Sequence, residues 1–180
     1  MSIGRKFLIV MVAMMTALGA ANSALGSNES EVRAAVNQIF QDLKSRNYDA
    51  LYETLPAASR TRMSRDRFTG ALKRAQDNYA LDRIEIGRIR VSGSIAVVDT
   101  SLYGRLLRPF DAEGKIVAQQ YLVREEGKWR VATGDRETTQ RFLSANPAFA
   151  RQFHLQPPRV YIRKEGGWVE FTPPKRARTN

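Results

Sequence analysis

Two short segments of alternating apolar and polar residues, joined by a Glu-Gly-Lys turn, constrain the fold of this chain most. They occupy residues 121–134, with the sequence YLVREEGKWRVATG. Alternation with a period of two is typical of half-buried strands, and a glycine-containing turn between two such runs is typical of a β-hairpin. We therefore predict an antiparallel hairpin, whose turn decides which side chains share a face.

The register of this hairpin depends on the length of its loop. A two-residue loop would set Trp129 opposite Arg124. A three-residue loop, with its glycine as a left-handed bulge, would set Val123 opposite Trp129 and would also set Tyr121 opposite Val131. We favour the three-residue loop, because it gathers the apolar residues of both strands on one face and turns the arginines away from them.

Residues 1–23 have the order of a secretory signal peptide: two basic residues, the apolar run 7–18 and then small residues. An uncleaved anchor is the alternative, because no charge occurs between Lys6 and Glu29 and a membrane span needs roughly 20 apolar residues. Both interpretations predict an exported protein, periplasmic or secreted. The basic segment 172–180 predicts a disordered tail.

Composition narrows the chemistry and the partners. The chain has no cysteine, which excludes disulfides and thiolate metal sites, and its one histidine is His154, which we interpret as a surface or packing residue. We predict no cofactor and no metal site. The net charge of +11 favours anionic partners, such as lipid headgroups or acidic envelope polymers. Among anionic partners, nucleic acid is the least favoured, because the protein is predicted to be exported.

The periodicity changes from helical to strand-like along the chain. Helical spacing predicts three helices at about 31–45, 48–55 and 65–75, the last capped by Ser64. Period-two alternation then predicts a four-stranded meander from residue 81 to residue 133. Its first strand changes face near Gly87, where we predict a β-bulge that bends the sheet. The fold class predicted is α+β, with three N-terminal helices packed on a curved four-stranded antiparallel sheet.

The part after residue 134 predicts a C-terminal extension, 135–171, with a helix at about 137–144, a short apolar piece and a second hairpin at 159–171. A two-residue Gly166-Gly167 turn separates the side chains of this hairpin into two faces most consistently. It places Tyr161 and Trp168 on one face. The opposite face then carries Val160, Ile162, Val169 and Phe171.

The order of these elements resembles the SnoaL-like, nuclear-transport-factor-two-like superfamily over about residues 30–134. The resemblance lies in the amphipathic first helix, the second helix beginning NYDALY, and the final strands YLVREEGKWRV. It implies a cystatin-like α+β cone, in which a curved sheet wraps the first helix and encloses an apolar pocket. The candidate lining residues are Phe40, Tyr52, Tyr121 and Trp129, although we favour the interpretation of the tyrosines and the tryptophan as core aromatics with one satisfied polar edge.

The same superfamily includes isomerases, dehydratases and cyclases, which use acids, tyrosines or histidines that project into the cone. A buried carboxyl beside a tyrosine can transfer a proton, because burial raises its pKa. Asp99 and Tyr103, on one face of the second strand, are the candidates for such a role. The sequence has no paired acids or acid-histidine couple typical of these enzymes, and Asp99 is also explained by a bond across the strands to an arginine.

A run of basic residues surrounds the third helix. Such a run is usually a solvated helix face, and a docking patch for an anionic surface is the sharper alternative. Asp49, near the start of the second helix, is explained by its position at the positive end of the helix dipole. The basic residues are Arg60, Arg62, Arg65, Arg67, Lys73 and Arg74.

Three functions follow from these features. The first is a non-catalytic exported binding domain of the SnoaL-like type, which binds a small apolar ligand or an envelope protein and turns its basic face to anionic material. The second is an isomerase, dehydratase or cyclase that uses Asp99 with a tyrosine. The third is an assembly module whose C-terminal hairpin offers an edge for strand addition.

Overall fold

The computed structural model describes residues 26, 28–107, 111–132 and 136–171, with the backbone alone for 136–138. The predicted signal peptide, 1–23, and the predicted tail, 172–180, lie outside the described residues. No helix in the described part of the chain has the length and apolar character needed to cross a membrane.

Within the described residues, four helices precede the sheet, so the prediction of three was wrong. The added helix follows Pro56 and has no buried residue, which is why it carries no apolar stripe that the sequence could reveal. Two further helices lie between the fourth and fifth strands. The helices are α1 (28–44), α2 (Tyr48–Glu53), α3 (Ala57–Arg62), α4 (Arg65–Gln76), α5 (Arg136–Ala145) and α6 (Pro147–Gln152).

Local capping explains where α2 and α4 begin. The Ser64 hydroxyl accepts a hydrogen bond from the backbone N–H of Arg67, which confirms Ser64 as the N-cap of α4. Helix α1 is followed by Arg46 in the left-handed region, with φ of 62°. Asn47 then caps α2, where its side chain accepts from the backbone N–H of Ala50.

The strands form one six-stranded antiparallel sheet, which makes the protein an α+β fold. The predicted four-stranded sheet was wrong because the C-terminal hairpin joins it. β2 pairs with one edge of β3, and β4 pairs with only the last part of the other edge, which leaves the first part of that edge to β5. The strands are β1 (Tyr79–Ser92), β2 (Ile95–Leu106), β3 (Ala112–Glu125), β4 (Lys128–Val131), β5 (Arg159–Lys164) and β6 (Gly167–Phe171).

The β3–β4 hairpin has the two-residue loop, so the favoured three-residue register was wrong. Arg124 lies opposite Trp129, and Leu122 lies opposite Val131. Both loop residues have positive φ, 51° at Glu126 and 76° at Gly127, which is the geometry of a type I′ turn. Tyr121 and Trp129 therefore lie on opposite faces of the sheet.

The physical reason is that both faces of the sheet are covered. On the inner face, α1 packs Val32 and Val36 against a group of sheet residues that includes Leu122 and Trp129. On the outer face, the C-terminal helices pack Leu143 and Phe149 against Tyr121. A register chosen to collect all apolar residues on one face fails because this hairpin supplies a core on each side.

The predicted bulge in β1 is confirmed. Ile86 pairs with Thr100 and Ile89 pairs with Val98, so two residues of β1, Gly87 and its successor, face one residue of β2. This shift returns the strand to the same face after the glycine. As a result, Ile84, Ile86, Ile89 and Val91 all pack against the core under α1.

The C-terminal hairpin keeps the predicted faces but not the predicted turn. Its loop is Glu165-Gly166, with φ values of 49° and 81°, and Lys164 pairs with Gly167. The two hairpins therefore share the same kind of Glu-Gly turn, whereas the sequence interpretation gave them different ones. Tyr161 and Trp168 lie on the outer face, the same side as Tyr103 and Lys115.

Candidate functional site

The space between α1 and the sheet is the position at which a cone-shaped fold would hold a ligand. It is a cavity of about 90 Å³. Phe40, one of the predicted lining residues, lies in its wall, and the only polar side chain there is Gln120. The complete lining is Val36, Ile39, Phe40, Leu43, Ile84, Leu102, Gln120 and Val131.

The other predicted lining residues are held elsewhere by their own contacts. The Tyr52 ring packs against that of Phe68 at a tilt, with ring centroids 5.8 Å apart. Its hydroxyl donates to the backbone oxygen of Met63 at 2.9 Å. Tyr121 lies on the outer face, where burial raises the pKa of its hydroxyl. Trp129 packs in the inner core, 5.8 Å from the guanidinium carbon of Arg124. The structure thus does not bring the four predicted residues around one cavity.

Asp99 lies on the outer face, opposite the cavity under α1. Its carboxylate accepts hydrogen bonds from Arg90 at 2.6 Å and from Gln119 at 3.3 Å, and 42% of its side chain is exposed. The hydroxyl of Tyr103 donates to Glu85 at 2.8 Å. Asp99 is therefore an ion-paired, partly exposed carboxylate. Tyr103, the tyrosine predicted to act with it, is hydrogen-bonded to Glu85 instead.

The basic run at α3 and α4 divides into paired and exposed residues. Arg60 and Arg65 both bind Glu53, and the hydrogen bond from Arg65 holds the pKa of Glu53 below its ordinary value. Arg65 also binds Asp49, at 3.2 Å. The other predicted members of the patch are exposed and have no ion pair within the described part of the chain: Arg62, Arg67, Lys73 and Arg74.

His154 lies beside a groove between α5 and α6, whose lining also includes Leu143, Pro147 and Ala150. Its backbone oxygen accepts a hydrogen bond from the Tyr121 hydroxyl at 3.3 Å. No titratable partner that would activate its imidazole lies among the residues lining this groove. The groove therefore offers apolar surface rather than a catalytic arrangement.

A second cleft, of about 440 Å³, lies on the outer face at the end of the sheet remote from α5 and α6. Antiparallel pairing places one residue from each of four strands in a row beside it, and two members of this row, Arg83 and Tyr103, line the cleft. The row consists of Arg83 on β1, Tyr103 on β2, Lys115 on β3 and Tyr161 on β5. Trp168, on β6, stands beside this row and lines the cleft.

Cations and aromatic rings alternate along this row of residues. The guanidinium carbon of Arg83 lies 3.7 Å from the ring centroid of Tyr103. The Lys115 ammonium lies 4.9 Å from the centroid of Tyr161 and 5.0 Å from that of Trp168. Tyr103 and Trp168 meet edge-to-face, with centroids 6.0 Å apart. These distances fall within the range of cation–π and aromatic pairs.

The arginines around the cleft form ion pairs with acids, whereas Lys115 does not form one within the described part of the chain. Arg163 binds Glu113 at 3.1 Å, and Arg105 binds Asp111 through two hydrogen bonds of 2.7 and 3.0 Å. The hydrogen bond to Glu85 raises the pKa of the Tyr103 hydroxyl above its ordinary value. Among the described residues, no carboxylate lies within 4.0 Å of the Lys115 ammonium, which lies near the two rings instead.

The cleft brings cationic and aromatic groups close together, and these can contact a ligand through charge and through their rings. Within the described ranges, no three His, Asp or Glu residues are grouped so that they could hold a metal ion. Tyr103 was a predicted site residue, whereas Lys115 and Arg163 were not, and Trp168 was predicted only to share one face of the C-terminal hairpin with Tyr161. No local sequence pattern, however, indicates that this hairpin pairs with β3.

Comparison with known proteins adds no relative: no protein-family model matches this sequence, and no curated protein matches it either.

Proposed function

We propose that this protein is an exported, non-catalytic binding domain of the SnoaL-like type, and that it binds an anionic envelope polymer in the outer cleft. The observation that carries the proposal is the position of Lys115 at the margin of the cleft, near the rings of Tyr161 and of the cleft-lining Trp168 and without a carboxylate partner among the described residues. A cation in this state keeps its attraction for a ligand, because no internal acid neutralises it.

The cavity under α1 supports this choice by its size and chemistry. Small-molecule sites usually measure roughly 300–1,000 Å³, whereas this cavity measures about 90 Å³. A carboxyl that acts on a ligand inside it would have to project from the inner face. Asp99 projects from the outer face and is bound to Arg90. The interior therefore favours neither an apolar ligand of ordinary size nor the isomerase hypothesis.

The charge of the whole chain supports an anionic partner. A net charge of +11 attracts polyanions over long distances, and the cleft then supplies a defined place for short-range contacts. The exposed arginines and lysine on α4 add to the long-range attraction, which increases the rate of encounter without fixing the position of the ligand.

The test is salt-dependent retention of the purified protein on three immobilised polyanions: polygalacturonate, dextran sulfate and polyphosphate. We expect retention on at least one of them that falls as salt rises. Lys115→Gln should weaken binding to that polymer about tenfold, the value of one charge-assisted contact.

Lys128→Gln is the matched control. It removes the same charge from an exposed lysine on β4. Lys128 lies opposite Glu125 in the strand register, roughly 30 Å from Lys115 along β3. The control should change binding little. The proposal would be abandoned if no polyanion were retained in a salt-dependent way, or if the two lysine variants lost equal affinity.

A further inference from the structure

We propose that the ligand of the outer cleft is a carboxylated sugar polymer, with one sugar ring stacked on Trp168 and its carboxylate bound by Lys115. This inference rests on the proposed function and names the class of polyanion. It concerns the same cleft, but its evidence comes from the aromatic and paired polar groups that surround the lysine.

Trp168 provides the stacking surface. It is the one aromatic residue among the large apolar residues exposed in the described part of the chain, at 37%. The ring is nevertheless fixed, by the edge contact with Tyr103 and by the nearby guanidinium of Arg163, whose carbon lies 5.9 Å from its centroid. The C–H bonds on one face of a sugar ring carry small positive charges and pack well on the negative face of an indole. A held, exposed indole in a cleft is suited to that contact.

The paired arginines and acids suit a ligand with many hydroxyl groups. The Arg163–Glu113 and Arg105–Asp111 pairs present fixed N–H donors beside carboxylate acceptors at the cleft. A sugar hydroxyl donates one hydrogen bond and accepts others, so it can use both members of each pair. The pairs also hold these long side chains in place before binding, which lowers the entropy cost of fixing them.

The same acids argue against a phosphate backbone. Nucleic acids and polyphosphate bind where several cations lie free along a groove, because each neutralised phosphate adds affinity. In this cleft, Glu113 and Asp82 would lie near such a chain and repel it, and Arg163 is already paired with Glu113. A carboxylated sugar needs only one free cation per acidic ring, which Lys115 supplies.

The experiment compares four probes with the purified protein: oligogalacturonate, its fully methyl-esterified form, polyphosphate and a single-stranded oligonucleotide. Tryptophan fluorescence reports binding, because the chain has two tryptophans and Trp129 is only 7% exposed. We expect oligogalacturonate to bind best and to protect Trp168 from iodide quenching. The methyl ester, which removes the carboxylate, should bind at least tenfold more weakly.

Trp168→Ala should weaken oligogalacturonate binding at least tenfold, and Trp168→Phe, which keeps a ring, should restore part of the loss. The matched control is Val169→Ala, which removes an exposed apolar side chain from the next position, on the other face of β6. If polyphosphate or the oligonucleotide bound better through Lys115, and Trp168→Ala had no effect, the sugar proposal would be overturned while the proposed function would stand. Binding of none of the probes would overturn the sugar proposal, and the proposed function would fall with it only if dextran sulfate were not retained either.

Discussion

Gly104 is the residue at which the geometry of β1 and β2 is most restrictive. A Cβ atom there would lie 2.1 Å from the backbone oxygen of Ala80 and 3.0 Å from the ring of Tyr79. We expect Gly104→Ala to lower the free energy of unfolding by about 2 kcal/mol or more, because backbone atoms cannot move aside as a side chain can. Urea unfolding followed by circular dichroism measures the change.

Gly70, in α4, is the matched control for this substitution. A Cβ there would meet only the end of the Arg74 side chain, at 3.5 Å, which is an ordinary contact. Gly70→Ala should stabilise the protein by about 0.5–1 kcal/mol, because alanine is the better helix former. Equal stability of the two alanine variants would contradict this description of the close contact between β1 and β2 at Gly104.

Glu53 links the stability of the helical layer to pH. The hydrogen bond from Arg65 lowers the pKa of Glu53 in the folded state below its ordinary value of 4.5. The folded protein then binds this proton less tightly than the unfolded chain does. The resulting stability is present above about pH 4.5 and is lost as pH falls through the lower, folded pKa.

We therefore expect the urea midpoint to fall more steeply between about pH 5 and pH 3 in the natural protein than in Glu53→Gln. Glu165→Gln, in an exposed turn, is the control and should leave the slope unchanged. A slope that Glu53→Gln does not alter would show that the contact with Arg65 contributes nothing to acid sensitivity.

At the scale of elements, both hairpins turn through a glutamate in the left-handed region. The φ of Glu126 is 51° and that of Glu165 is 49°. Asparagine adopts this conformation at lower cost than glutamate and is favoured at the first loop position of a type I′ turn. We expect Glu126→Asn to raise the free energy of unfolding by about 0.5 kcal/mol, as measured by thermal and urea unfolding.

Lys128→Asn is the control for the hairpin, because residue 128 is the first residue of β4 and asparagine is disfavoured in strands. It should leave stability unchanged or lower it. If Glu126→Asn destabilised the protein as much as this control, the turn would not have the type I′ geometry.

The elements that sequence reasoning predicted correctly are those with a strong local signal. Ser64 marks the start of α4, and the change of face at Gly87 marks the bulge in β1. The helix α3 was missed because it buries no residue. The β3–β4 register was wrong because the alternation carries two apolar faces, and a single sequence does not show that distant helices cover the second one.

At the scale of the whole molecule, the least predictable feature is the pairing of β5 with β3. It joins Val117 to Arg159, residues 42 positions apart in the sequence, and no local pattern specifies such a contact. This pairing also creates the candidate cleft, because it brings Tyr161 and Trp168 beside Lys115. The aromatic face of the hairpin could be predicted, but its partner strand could not.

The most direct test of the central claim is a titration of the isotope-labelled protein, followed by NMR, with the best retained of the three polyanions. Binding at the outer cleft predicts shifts of the Trp168 indole N–H and of the Lys115 and Tyr161 amides, while the Phe40 amide beside the inner cavity stays unchanged. Shifts concentrated at Phe40, or along α4, with an unaffected Trp168 indole, would contradict it.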